Sequence, residues 1–334
     1  LKEAREAAFA NRKLARAGGD PLAAKRKTKV PTFREAAERT FEAKRPRWRS
    51  AKVIANWMQR MQRHVFPTLG DMPVDRIGRE DVLRVLTPIW TSRPEMARKT
   101  RQGIHATLAW AEAHGFVDRN VAGTAISGAL PIMPAVKAHF RALPYAEVAV
   151  ALEAVEASGA SLPAKLCFRF LVLTAARSGE ARGATWAEID MADAREWRIP
   201  ANRMKTGVEH RVPLTGAALV VLEEARPLRD DSGLVFPSST RPGSPLSDTT
   251  LGKVMRVAGL AKRGTVHGFR SSFRDWCADT GKPRELAEAA LAHTVSGVEG
   301  SYFRSDLFER RRALMERWAE FIAGTAADVV QLHG

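Results

Sequence analysis

Apolar residues recur at three- and four-residue spacing through most of this chain, the mark of helices that bury one stripe. Phe33, Ala36, Ala37, Thr40 and Phe41 keep that spacing, and Thr32 with Glu35 forms a capping box at the start of the run. From Ser50 a second stripe follows: Val53, Ile54, Trp57, Met58, Met61 and Val65, ended by Pro67 and Gly70. A third helix is expected over 79–90. A fourth runs from Pro94 to His114, with Ile104, Leu108 and Ala111 inward and Gly115 as its stop. Four helices with short loops predict a small all-α domain over 32–128.

Residues 129–141, with Pro131 and Pro134, read as an extended linker. A second domain is expected over 142–324. It opens with a helix ending near Ala157, followed by 163–176, which is apolar nearly all round and so belongs in a core. The β pattern is confined to 197–199, Met204-Lys205 and 210–214, with Gly207 in the turn between the last two. Everything after Ser247 is helical again. In the last helix Leu307, Leu314, Met315, Trp318, Phe321 and Ile322 fall on one stripe, which either packs on its own domain or docks on a neighbouring copy. The fold class is therefore mainly α, an all-α domain followed by an α+β domain with a small antiparallel sheet. Residues 3–17 are helical, Gly18-Gly19-Asp20-Pro21 breaks them, and 25–29 form a basic linker; 325–334 are a tail.

A chain of 334 residues can bury two cores. Its formal charge is +16, and fourteen of those sixteen net charges lie within residues 1–138. Such an excess points to a polyanion gripped by the front of the protein, against the plainer reading of a soluble basic surface. Cys167 and Cys277 have neither pairing nor ligand spacing and read as buried thiols in a reducing, cytoplasmic setting. The longest apolar run, near 166–176, contains Arg169 and is too short for a bilayer. The opening Leu-Lys-Glu-Ala-Arg-Glu lacks signal-peptide design and resembles mid-helix, so a longer protein is expected.

Several side chains carry chemistry. In Thr-Ala-Ala-Arg177-Ser-Gly-Glu180 an arginine leaves an apolar segment directly, where packing would hold it with its fork aimed at an anion. Glu180 is its natural orienting partner, or else only a local ion pair. Lys205 sits at a turn that could project into a cleft. In the helix from His267, Phe269, Phe273 and Trp276 share a stripe opposite His267, Arg270 and Arg274, a ligand-facing side or an ordinary basic one. Downstream, Leu291-Ala-His293 precedes Tyr302, one of two tyrosines. A nucleophile with fixed cations, and no ligand set for a metal, suits attack on a phosphodiester.

Arg177 with Glu180, Lys205, His267-x-x-Arg270, Leu291-x-His293 and Tyr302 occur in the order and spacing of the tyrosine recombinase (phage integrase) family, which the chain resembles over about 140–322. Residues 32–128 resemble that family's core-binding, SAM-like helical domain. Residues 1–31 are similar to the tail of the arm-binding module of prophage and genomic-island integrases, most of which is absent here. The resemblance implies a cofactor-free, site-specific recombinase with a 3′-phosphotyrosine intermediate. It makes Tyr302 the nucleophile, Arg177, Arg270, His267 and His293 the phosphate's partners, and Lys205 the donor to the leaving 5′-oxygen. Implied partners are double-stranded DNA, a homotetramer on that DNA through the C-terminal helix, and excision or DNA-bending proteins, all at the bacterial nucleoid. Two other readings stay open: a type IB-like topoisomerase, and a non-catalytic DNA-binding protein on the same scaffold. Ala292 stands where the family usually has Gly, and Gly300-Ser301 where Ala is more usual before the tyrosine.

Overall fold

A computed structural model describes residues 2–18, 30–48, 51–132, 141–293 and 306–324. The chain divides into two compact units, 1–136 and 137–334. The basic stretch 25–29, Ser50, Pro134, the tail 325–334 and Tyr302 with its neighbours Gly300 and Ser301 lie outside the described residues.

The first unit is all helical: α1 Lys2–Arg16, α2 Phe33–Lys44, α3 Ala51–Arg60, α4 Arg79–Trp90, α5 Pro94–Ala113 and α6 Ala125–Gly128. The described side chains of α1 are exposed. The expected capping box starts α2: Glu35 N donates to Thr32 Oγ1 at 3.3 Å, and Thr32 N to Glu35 Oε2 at 2.9 Å. α3 runs into a π-helical turn, Met61–Val65, and a last turn, Phe66–Leu69. Pro67 explains the widening, because it has no N–H to give and its ring crowds the carbonyl four residues back. Trp57, Met61 and Val65 are buried in the core, but Val53 is 48% exposed, off the face expected for it. Leu130, in the stretch expected to be linker, is buried here, and the Trp90 indole donates to the Pro131 carbonyl at 2.7 Å.

The second unit is built on α8, Leu162–Thr174, which follows α7, Val148–Ala157. Leu166, Cys167, Phe168, Phe170 and Leu171 are all buried, as expected of a helix apolar nearly all round. Around it lie α9 Ser178–Arg182, the strands β1 Ile189–Asp190, β2 Glu196–Ile199 and β3 His210–Pro213, then α10 Gly216–Ala225, α11 Thr250–Val257, α12 Gly268–Asp279, α13 Arg284–Ala290 and α14 Phe308–Ile322. The sheet is antiparallel in the order β1-β2-β3, with Trp197 opposite Val212 and Ile199 opposite His210.

Two expectations change. Met204-Lys205 is no strand: a 3-10 turn, Ala201–Arg203, follows β2, and Gly207 N closes a turn on Met204 O at 3.1 Å with φ +73°. The third strand is Ile189–Asp190, too short to leave a period-two signal. The apolar stripe of α14 closes on its own unit. Leu314, Met315, Trp318 and Ala319 are buried, the Trp318 ring lies tilted against Trp276 with centroids 5.1 Å apart, and its indole donates to the Val172 carbonyl at 3.0 Å. The middle of that stripe is thus used in its own domain, while Leu307, Phe321 and Ile322 are half-buried. Among the described residues no helix is long and apolar enough to cross a membrane.

One glycine decides where α12 sits. A Cβ on Gly268 would overlap the Arg141 carbonyl oxygen. The chain at 141–143 is pinned against it: Thr265 N donates to Arg141 O at 3.0 Å, and the Ser272 hydroxyl donates to Leu143 O. Gly268→Ala is therefore expected to cost about 1–3 kcal/mol, read as a lower urea midpoint of the intact protein. An unchanged midpoint would show that 141–143 is not seated there.

Candidate active site

Two helices end in the same way at the centre of the second unit. α8 stops at Ala175, in the left-handed region at φ +49°. α13 stops at Leu291, followed by Ala292 at φ +47°. There, Ala292 N donates to Ala289 O at 3.1 Å and His293 N to Glu288 O at 3.0 Å, the paired bonds of a Schellman motif. Its left-handed position favours glycine, because a Cβ there crowds the following carbonyl. The Gly-to-Ala departure at Ala292 is thus a local strain that leaves the path of the chain intact.

The last carbonyls of a helix lack helical donors and carry the negative end of its dipole. Here two arginines satisfy them. Arg270, from the first turn of α12, donates Nη1 to Ala175 O and Nη2 to Leu291 O at 2.5 Å. Arg177, which caps α9, donates Nη2 to Ala292 O at 3.1 Å and, at 3.4 Å, to the same Leu291 O. Glu180 holds Arg177 twice, Oε1 accepting from Nη1 at 2.9 Å and Oε2 from the Arg177 backbone N at 2.8 Å. Arg270 is 4% exposed. Burial, and then the charge of Arg177, push its pKa down to about 10, still cationic at neutral pH. Arg270 Nε is buried with no hydrogen-bond partner among the described residues.

The histidines sit beside this pair. His293 Nε2 is 3.5 Å from Arg270 Nη2, and its Nδ1 is 2.5 Å from Glu288 Oε2. His267 precedes α12; partial burial, and then the charges of Arg270, Arg177, His293 and Lys205, hold its imidazole below the usual range. Lys205 is exposed on its turn, within electrostatic reach of His267. The structure thus brings Arg177, Glu180, Lys205, His267, Arg270 and His293 to one place. Tyr302 lies outside the described residues.

Two neighbours went unnoticed in the sequence. His210 opens β3, five residues past Lys205, and hydrogen-bonds the Ala290 backbone at the end of α13. Burial first, then Arg311, push its pKa down to about 4, with Glu180 opposing. Its position in the strand hides it among residues that merely alternate. Glu288 lies five residues before His293, a spacing that becomes a contact only through the helix end between them. Arg203 supports the same corner, donating to Glu180 O at 2.6 Å and to the Glu188 carboxylate.

Comparison with known proteins agrees with this arrangement. The pattern of the phage integrase central domain matches residues 33–127, and that of the phage integrase family matches 141–307. The chain belongs to the phage integrase family. It is accordingly an enzyme of the tyrosine-type site-specific DNA recombinase class. The prophage integrase IntZ of Escherichia coli (strain K12) is 30% identical over 333 residues, covering 96% of this chain and 80% of that one. IntA of the same strain is 29% identical over 321 residues, covering 92% and 76%. The integrase of Enterobacteria phage P4 is 27% identical over 345 residues, covering 96% and 77%. Among solved structures, a lambda integrase dimer bound to a COC′ core site shares the fold with a TM-score of 0.61 at 20% identity, over 79% of this chain and 96% of that one. A lambda integrase tetramer bound to a Holliday junction matches with the same TM-score and identity, over 86% and 81%. For this family member the mainly helical two-domain architecture with a small antiparallel sheet holds as expected.

The neutral His210 gives a test of the packing. Its folded pKa near 4 lies below the ordinary 6.5, so below pH 6.5 the unfolded chain takes up a proton that the folded chain refuses. Stability from this group is complete above pH 6.5 and is lost as pH falls toward 4, with a slope of at most about 1.4 kcal/mol per pH unit. Denaturant unfolding across that window should decline less steeply for His210→Gln than for the parent. Equal slopes would place His210 in water.

Proposed function

We propose that this integrase cuts and rejoins double-stranded DNA at a specific attachment site, with Tyr302 as the nucleophile. The observation that carries this reading is the convergence of Arg177 and Arg270 on one carbonyl, Leu291 O, beside His293 and His267. Two guanidinia fixed this way need little rearrangement to meet a phosphate. The pentacoordinate transition state gathers negative charge on the non-bridging oxygens, and pre-placed cations and donors stabilise it more than they stabilise the ground state. The Nε of Arg270, buried and without a partner among the described residues, is a donor that an anion would satisfy.

The steps follow from the side chains. Tyr302 oxygen attacks phosphorus, and its proton passes to His267, kept neutral by burial and by neighbouring positive charge. The bond to the leaving 5′-oxygen breaks as Lys205 supplies a proton, leaving a 3′-phosphotyrosine and a free 5′-hydroxyl. Attack by another 5′-hydroxyl reverses the step, so the ester stores the energy for sealing. The positive charge concentrated in residues 1–138 supplies the grip on DNA, and the lambda integrase tetramer bound to a Holliday junction supports a tetramer on two duplexes. Integration and excision of a prophage or mobile island at the nucleoid, aided by DNA-bending proteins, is the role that fits. We assign domain boundaries of 32–128 for the core-binding part and 142–324 for the catalytic part.

A nicked suicide duplex carrying the attachment site tests this. The parent protein should form a covalent adduct, Tyr302→Phe none, and Arg177→Ala should cleave roughly 100-fold or more slowly. If the parent and Tyr302→Phe both lack an adduct on a verified site, the transesterase reading is wrong. Relaxation of supercoils without strand exchange would favour a topoisomerase.

A further inference from the structure

The end of α13 carries a contact of unusual chemistry. In a Schellman motif the residue after the left-handed position commonly makes an apolar contact with the residue three positions inside the cap. Here those two positions are His293 and Glu288. They are joined twice, by His293 N to Glu288 O at 3.0 Å and by His293 Nδ1 to Glu288 Oε2 at 2.5 Å. Helix stability does not account for the acid. Glu288 stands in the last turn of α13, where the helix dipole disfavours negative charge. Its side chain is only 14% exposed, so the carboxylate has also given up most of its hydration. What offsets these costs is one partner on each oxygen: Arg274 Nε, from α12, donates to Oε1 at 3.2 Å, and His293 holds Oε2.

Glu288 fixes which ring nitrogen it holds. Burial alone would raise the Glu288 pKa, but the His293 hydrogen bond, with Arg274, brings it below the ordinary value, so the group is ionised and can only accept. Nδ1 must therefore carry the hydrogen. On the other side Nε2 lies 3.5 Å from Arg270 Nη2. With Nδ1–H committed to Glu288, Nε2 is the nitrogen left to meet a ligand on the side of Arg270, as an N–H donor when the ring is protonated.

We propose that Glu288 is a positioning residue, which acts through His293 by fixing its ring orientation so that Nε2 faces the phosphate held by Arg270 and Arg177. This rests on the transesterase reading above. Arg274 completes the device, because it anchors the carboxylate to α12, the helix that also carries Arg270. The histidine and the arginine it must work beside are thereby tied to one rigid element.

The test is a double-mutant cycle in single-turnover cleavage of the nicked duplex, with DNA affinity measured in parallel. Glu288→Ala should slow adduct formation about tenfold or more, the range that carboxylates behind histidine ligands carry at metal sites, with unchanged DNA affinity. Glu288→Gln keeps an oxygen that accepts from Nδ1–H, so its rate should fall between those of the parent and the alanine variant. It also serves as the folded control should alanine destabilise the turn. In a His293→Ala background, Glu288→Ala should add nothing. The proposal is overturned if Glu288→Ala cleaves like the parent, if glutamine does no better than alanine, or if the full loss persists without His293. A parent protein that forms no adduct would sink the transesterase reading itself.

Discussion

Two guanidinium groups, one buried and one half-buried, seated on the free carbonyls of two helix ends are the constraint that organises the second domain. A cation with little access to water is costly unless hydrogen-bonded and near opposite charge. The ends of α8 and α13 supply both, as unsatisfied carbonyls and as the negative poles of their dipoles. Arg270 bridges Ala175 O and Leu291 O, and Arg177 shares Leu291 O while Glu180 takes its other face. The backbone holds the arginines without fully neutralising them, which leaves positive charge for a ligand. A carboxylate in place of each carbonyl would have cancelled it.

Much of the surrounding structure serves this junction. α8 and α13 must end where they do, which puts two alanines, Ala175 and Ala292, in the left-handed region. α12 must come close enough for Arg270 to reach both ends, and Gly268 allows it by accepting the Arg141 carbonyl where a side chain would stand. His210 joins the sheet to the last turn of α13, and Arg203 joins the segment after β2 to the Glu180 carbonyl. The stripe of α14 on Trp276 and Val172 holds α12 against α8. Strain at the helix ends is thus balanced by packing at a distance.

The helices were legible because a buried stripe leaves a period in the sequence, and 79–90 came out to the residue. The strands were less so. β1 has two residues, too few for alternation, and Met204-Lys205 looked extended beside a glycine that in fact closes a turn after a 3-10 segment. Arg177 and Arg270 stood out as cations joined to apolar runs, but their partners did not, because backbone carbonyls have no letter of their own. Glu288 and His210 were hidden for a related reason: each acts across a turn or a strand edge that only the fold creates. The resemblance supplied Tyr302, and Ala292 gained its meaning from a backbone angle.

The most direct measurement is an experimental structure of the Tyr302→Phe protein on an uncleaved duplex carrying its attachment site. One phosphate is expected within hydrogen-bond distance of both Arg177 and Arg270, with Ala175, Leu291 and Ala292 still accepting from them and His293 still on Glu288. A phosphate bound elsewhere, or arginines swung away from the helix ends to reach it, would contradict the account.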